Sequence, residues 1–184
     1  MADLNEFENV RQQVRSVVAD RDKREVDRTL EVIDNFLASA PDHPIATVMK
    51  GCLIVLKAGT LRNPMRKVDM AEEGLLLMDQ AMERAAEAES VAGPGADIEM
   101  RLIRALTNAG LPVKFRRNEI VREDLGAILN HPLYAHVAPA EQARTKAWLA
   151  VTLERDGDTD GAQALLAEAR VLDAGIADAA WAEL

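Results

Sequence analysis

The sequence predicts an all-α protein, and three observations carry that prediction. Apolar residues make up 48% of the chain but aromatics only 3%. The apolar content is therefore Ala, Leu, Val, Ile and Met, which suits helix packing better than a pleated sheet. These residues recur at three- and four-residue intervals along most of the chain, the period of an amphipathic helix. Proline and glycine collect between the periodic segments, where they stop helices, and no segment demands a strand.

The elements follow in order. Residues 4–18 place Leu4, Phe7, Val10, Val14, Val17 and Val18 at helical spacing, and Asp20-Arg21-Asp22 interrupts them. A second helix carries Val26, Leu30, Ile33, Phe36 and Leu37 on one face and is stopped by Ala40-Pro41-Asp42-His43-Pro44. A third, residues 45–56, is apolar on most sides and so predicted to be buried. Gly51 in its middle costs about 1 kcal/mol relative to alanine, which close approach of a neighbouring helix would offset. Residues 58–66 read as a loop, and residues 68–88 as the longest single amphipathic helix, with Met70, Gly74, Leu77, Met78, Ala81, Met82 and Ala85 on its face. Residues 90–96, with Gly93-Pro94-Gly95, form the clearest break.

Beyond that break, Ile98, Leu102, Ala105, Leu106 and Ala109 define a helix ended by Gly110-Leu111-Pro112. Residues 120–129 form a short one ended by Asn130-His131-Pro132. Pro139 suits a first helical turn and opens residues 139–153. Gly157-Asp158-Thr159-Asp160 is the turn before residues 162–172, and residues 178–184 read as a partial helix or tail. The sum is eight main helices.

The closing pair resembles a tetratricopeptide repeat. Leu149-Ala150 and Leu153 match the first helix of that motif, Gly157-Asp158 its turn, and Ala162, Leu166 and Ala169 its second helix. Lys146 stands where the family often has tryptophan. Weaker copies lie upstream: Gly51 and Ile54 followed by Gly74, Met78 and Ala81, then Ala105 followed by Leu125 and Ile128. The resemblance implies one domain over residues 1–184, an α-α superhelix of about four helix pairs near 3–41, 44–90, 96–131 and 139–173, with 177–184 as cap or tail. It also implies a peptide groove along the first helices of successive pairs. The groove positions are Val48, Cys52, Leu102, Leu106, Arg144, Ala147, Val151 and Arg155, with Arg101 and Arg104 joining Arg144 and Arg155 as polar anchors of the expected binding face. Val48, Cys52, Ala147 and Val151 depart from the Lys and Asn that clamp a terminal carboxylate in some members, so an apolar groove, or one filled by the chain's own termini, fits better.

Composition narrows the function. With 184 residues the chain can bury a sizeable core without metal or disulfide. A net charge of −9 disfavours nucleic acid and anionic membrane as partners. Cys52 is the only cysteine, which excludes intrachain disulfides and cysteine-based zinc sites. The first residues lack a signal-peptide pattern and no apolar run could span a bilayer, so a cytoplasmic protein is expected.

Each chemical candidate has a plain counterpart. His131 and His136 are five residues apart across Pro132 and lack a carboxylate cluster, and His43 is remote in sequence, which suits solvent-exposed or loop-capping histidines better than a metal. Asp156-Gly157-Asp158-Thr159-Asp160 lacks the length and closing glutamate of a calcium loop. The basic run Lys114-Phe115-Arg116-Arg117, with Arg122, reads as a solvated loop or a patch for an acidic partner. Arg101 and Arg104 lie three apart on an apolar helix and must either pair with Glu99, Glu123 or Asp124 or form an anion-binding spot. The leading expectation is a non-catalytic module, without cofactor or metal, that binds a protein or peptide and is a candidate for self-association. The competing expectation is a small-molecule-binding protein or enzyme with an anion pocket near Arg101, Arg104 and Lys114.

Overall fold

The structure, a computed structural model, describes residues 4–20 and 24–184. Among them are ten α-helices, two short 3-10 turns and no strand, so the protein is all-α. The sequence break at Asp20-Arg21-Asp22 falls at the end of the first helix; Arg21 and Asp22 lie outside the described residues. The chain separates into two compact units, residues 1–103 and 104–184, and the boundary falls inside one helix.

In the N-terminal unit, α1 (Leu4–Asp20) buries Phe7, Val10, Val14 and Val17, the stripe that its spacing predicts. α2 (Val26–Ser39) buries Val26, Ile33 and Phe36, and ends where the Ala40 N–H donates to the Phe36 carbonyl at 3.0 Å, just ahead of Pro41. α3 (Pro44–Ala58) is the buried helix: Ile45, Val48, Met49 and Leu53 are fully enclosed. Pro44 at its first turn adds no orphan N–H, and the His43 side chain caps it.

α4 (Pro64–Met82) begins earlier than the sequence suggests, because Asn63 Oδ1 accepts the backbone N–H groups of Met65 and Arg66 at 3.0 and 3.2 Å. It crosses α3 at Gly51 and Gly74. A Cβ on Gly51 would lie 2.6 Å from the Gly74 carbonyl oxygen, and one on Gly74 would lie 2.6 Å from that of Gly51. Only two glycines let the backbones meet this closely. The close approach expected from Gly51 is present.

The single helix expected over residues 68–88 is in fact two. α4 stops at Met82 and α5 (Ala85–Ala92) starts after a tight turn in which Glu83 and Arg84 donate to carbonyls three residues back. Arg84 there pairs with Asp42 at 3.0 Å and Glu87 at 2.8 Å. Ala81, Ala85 and Ala88 are all buried, so the apolar period runs through the break and hides it. Gly93 and Gly95, with φ of +89° and +80°, then end α5. α6 (Ala96–Ala109) follows and carries the unit boundary.

The C-terminal unit continues with a 3-10 turn (Val113–Phe115), α7 (Asn118–Leu129), a second 3-10 turn (Tyr134–His136), α8 (Pro139–Arg155) and α9 (Thr159–Leu172). Gly157, at φ +89°, makes the α8–α9 turn, and Asp158 Oδ1 accepts the Gly161 N–H at 3.0 Å to start α9. The expected partial helix or tail is α10 (Ala174–Trp181), which starts four residues before the expected 178 and is capped by Asp173. Its Ala177 and Ala180 join Ala147, Ala150, Leu166 and Ala169 in one buried cluster, with Trp148, Leu165 and Trp181 packed against it. Ten helices therefore replace the expected eight; α5 and α10 are the additions.

Candidate functional site

The residues expected to line a groove divide into core and half-exposed positions. Val48, Ala147 and Val151 are completely buried, and Cys52 is 5% exposed. They offer a partner no surface, because α3 and α8 are each covered on the side that carries them. As contact residues they are corrected to core residues. Leu102 is half-buried.

The arginines are engaged within the protein. Arg104 donates from Nε to Asp124 Oδ2 at 2.7 Å and from Nη2 to Asp124 Oδ1 at 2.8 Å, a bidentate pair with the arginine side chain 14% exposed and the carboxylate fully buried. Asn108 Nδ2 donates to the Arg104 carbonyl at 2.7 Å, and Arg117 Nε donates to Asn108 Oδ1 at 2.7 Å. This network joins the end of α6 to α7. Both oxygens of the buried carboxylate are thus taken up by one guanidinium, an arrangement that fixes the two helices against each other.

The other arginines do similar work. Arg101 lies 3.9 Å from Asp97 one turn earlier. Arg144 pairs with Glu141 at 2.6 Å. Arg155 donates to two backbone carbonyls, Ala109 at 3.1 Å and Glu183 at 2.9 Å, tying α8 to the end of α6 and to the C-terminal segment. Of the carboxylates expected to partner Arg101 and Arg104, Asp124 takes Arg104. Glu99 instead receives Arg11 at 2.9 Å and Arg15 at 3.0 Å from α1.

The basic loop stays at the surface, with Lys114, Arg116 and Arg122 exposed. The Lys114 ammonium sits 5.6 Å from the Phe115 ring centre, and Arg122 lies 3.5 Å from Asp156. Arg116 has a left-handed φ of +53°, which is unusual for a residue with a side chain. His131 Nδ1 accepts the Leu133 N–H at 3.1 Å, the loop-capping role expected of it. The Tyr134 hydroxyl is pushed up to about 12 by burial and by the nearby Glu168 charge. Glu168 itself pairs with Lys146.

Sequence reasoning weighed His43 only as an exposed or loop-capping histidine and did not place it in the core at a helix start. Its imidazole is 6% exposed, its Nδ1 accepts the Ala46 N–H at 3.3 Å, and its ring lies 4.2 Å from Phe7 and 5.3 Å from Phe36. The legible signal was its place one residue before Pro44, where a side-chain cap is wanted.

No family model, no curated protein and no solved structure gives a significant match to this chain. The tetratricopeptide resemblance thus rests on the residues that carry it. Among the described residues, no helix is long and apolar enough to cross a membrane.

Proposed function

We propose that the protein is a non-catalytic helical interaction module that binds a protein or peptide partner. The observation that carries this reading is the internal engagement of Arg104 by the buried Asp124. The competing reading needed Arg104 and its neighbours as an anion pocket, and a bidentate internal carboxylate occupies the guanidinium instead. The two-helix units α3–α4 and α8–α9, closed by small residues where their helices meet, support the repeat architecture that the resemblance implies. In that architecture a partner lies along the first helices of successive pairs in an α-α superhelix. Arg101, Leu102, Arg144 and Arg155 keep part of their surface and are the contact positions to test.

Quantitative affinity enrichment from the native host, with light scattering of the purified chain, tests the proposal. The expected result is a partner whose enrichment falls when Arg101 and Arg144 are changed to alanine, or a second copy of the chain bound in its place. A monomer that enriches nothing, or one stabilised by anionic metabolites in a thermal shift, would contradict it.

A further inference from the structure

We propose that His43 is an acid-sensitive latch that holds α1 against the rest of the N-terminal unit. Its position at the meeting point of three helices makes this more than a helix cap. The ring packs on Phe7 of α1 at 4.2 Å and edge-on to Phe36 of α2 at 5.3 Å, while Nδ1 accepts the Ala46 N–H in the first turn of α3. That cap requires a neutral imidazole, because a protonated ring has no lone pair to accept with.

Among the described residues, the charged group that bears on His43 is Arg11, itself a cation. Arg11 of α1 already sits over the Phe7 ring, 4.7 Å from its centre, so a second cation would share the same aromatic group with a like charge. Three carboxylates of these helices hold arginines: Asp42 pairs with Arg84 at the start of α5, Glu8 with Arg11, and Glu99 of α6 with Arg11 and Arg15. Burial lowers the affinity of His43 for a proton below its ordinary value of 6.5; Arg11 acts in the same direction and a backbone hydrogen bond against it. The docked state therefore binds fewer protons than a state in which α1 has left, and acid favours release. α1 is the first described helix, so it can leave without unthreading the others, uncovering the Phe36 face that Phe7 covers.

Backbone and imidazole NMR of the full chain from about pH 7.5 to about pH 5 tests the latch in the range where histidine changes charge. The expected result is that α1 amides lose their helical shifts with the midpoint of the His43 titration, below 6.5, while α8 and α9 stay unchanged. His43→Asn keeps a capping acceptor and has nothing to titrate, so α1 stays docked across the same range. An α1 that remains docked while His43 titrates overturns the proposal, as does release in His43→Asn with the wild-type midpoint. Should His43→Asn not fold, agreement or disagreement of the two midpoints in the wild-type chain decides it.

Discussion

The α3–α4 crossing and the α6–α7 contact both hold two helices together, yet they are filled by opposite chemistry. At the first, Gly51 and Gly74 remove both side chains and the helix backbones touch. At the second, Asp124 is fully buried on α7, and Arg104 reaches across to pair with it. A glycine seam wins contact through dispersion between backbones and tolerates no added atom. A buried ion pair tolerates different spacing, but each partner depends on the other to offset its desolvation. The difference predicts that one crossing is intolerant of added volume and the other of a lost charge.

The largest expected effect breaks the second contact. Asp124→Ala leaves the Arg104 guanidinium without its carboxylate in a nearly closed site, a loss of ~3–5 kcal/mol in urea denaturation. Gly51→Ala attacks the first. The new Cβ would sit 2.5 Å from Met78 Cγ and 2.6 Å from the Gly74 oxygen. The crossing must open, at a net cost of about 1–3 kcal/mol despite the better helix propensity of alanine.

Gly126→Ala sharpens the contrast, since a Cβ there meets nothing within 4 Å and α7 is helical at that point. The same substitution should then raise stability by up to ~1 kcal/mol, seen as a higher denaturation midpoint. A loss at Gly126, or a gain at Gly51, would place the tight crossing elsewhere. The smallest effect is a pH dependence of the N-terminal unit alone. His43 is held below 6.5 in the folded chain, so the unfolded chain binds more protons as pH falls through that value, and stability falls with it. Denaturation midpoints that stay flat down to pH 5, with about one unit of histidine range covered, would remove that expectation.

The helical class was legible because burial in α1 and α2 follows the three-four spacing of Phe7, Val10, Val14 and of Ile33, Phe36. Gly51 was legible too, since a glycine inside an apolar helix needs a packing reason. The split between α4 and α5 was not, because Ala81, Ala85 and Ala88 keep one apolar period across a turn that tight backbone bonding makes. α10 was read short because its buried residues are alanines, which carry little amphipathic signal. For the candidate site, the need of Arg104 for a carboxylate was readable and Asp124 was among the choices. The burial of Val48 followed from the expected burial of residues 45–56, but that of Ala147 and Val151 was not readable, because alternate faces of an Ala- and Val-rich helix look alike until its neighbours are placed. His43 went unread as a buried helix cap because histidine is rare in that role.

On the proposed reading, Arg104 serves the fold through Asp124 and is not held in reserve for a ligand. A double-mutant cycle on Arg104→Met and Asp124→Leu, followed by urea denaturation, measures it most directly. If the pair is structural, each single change is strongly destabilising and the double variant recovers much of the loss, with a coupling of about 2–3 kcal/mol. Additive losses, or a single Arg104→Met variant as stable as wild type, would contradict the account.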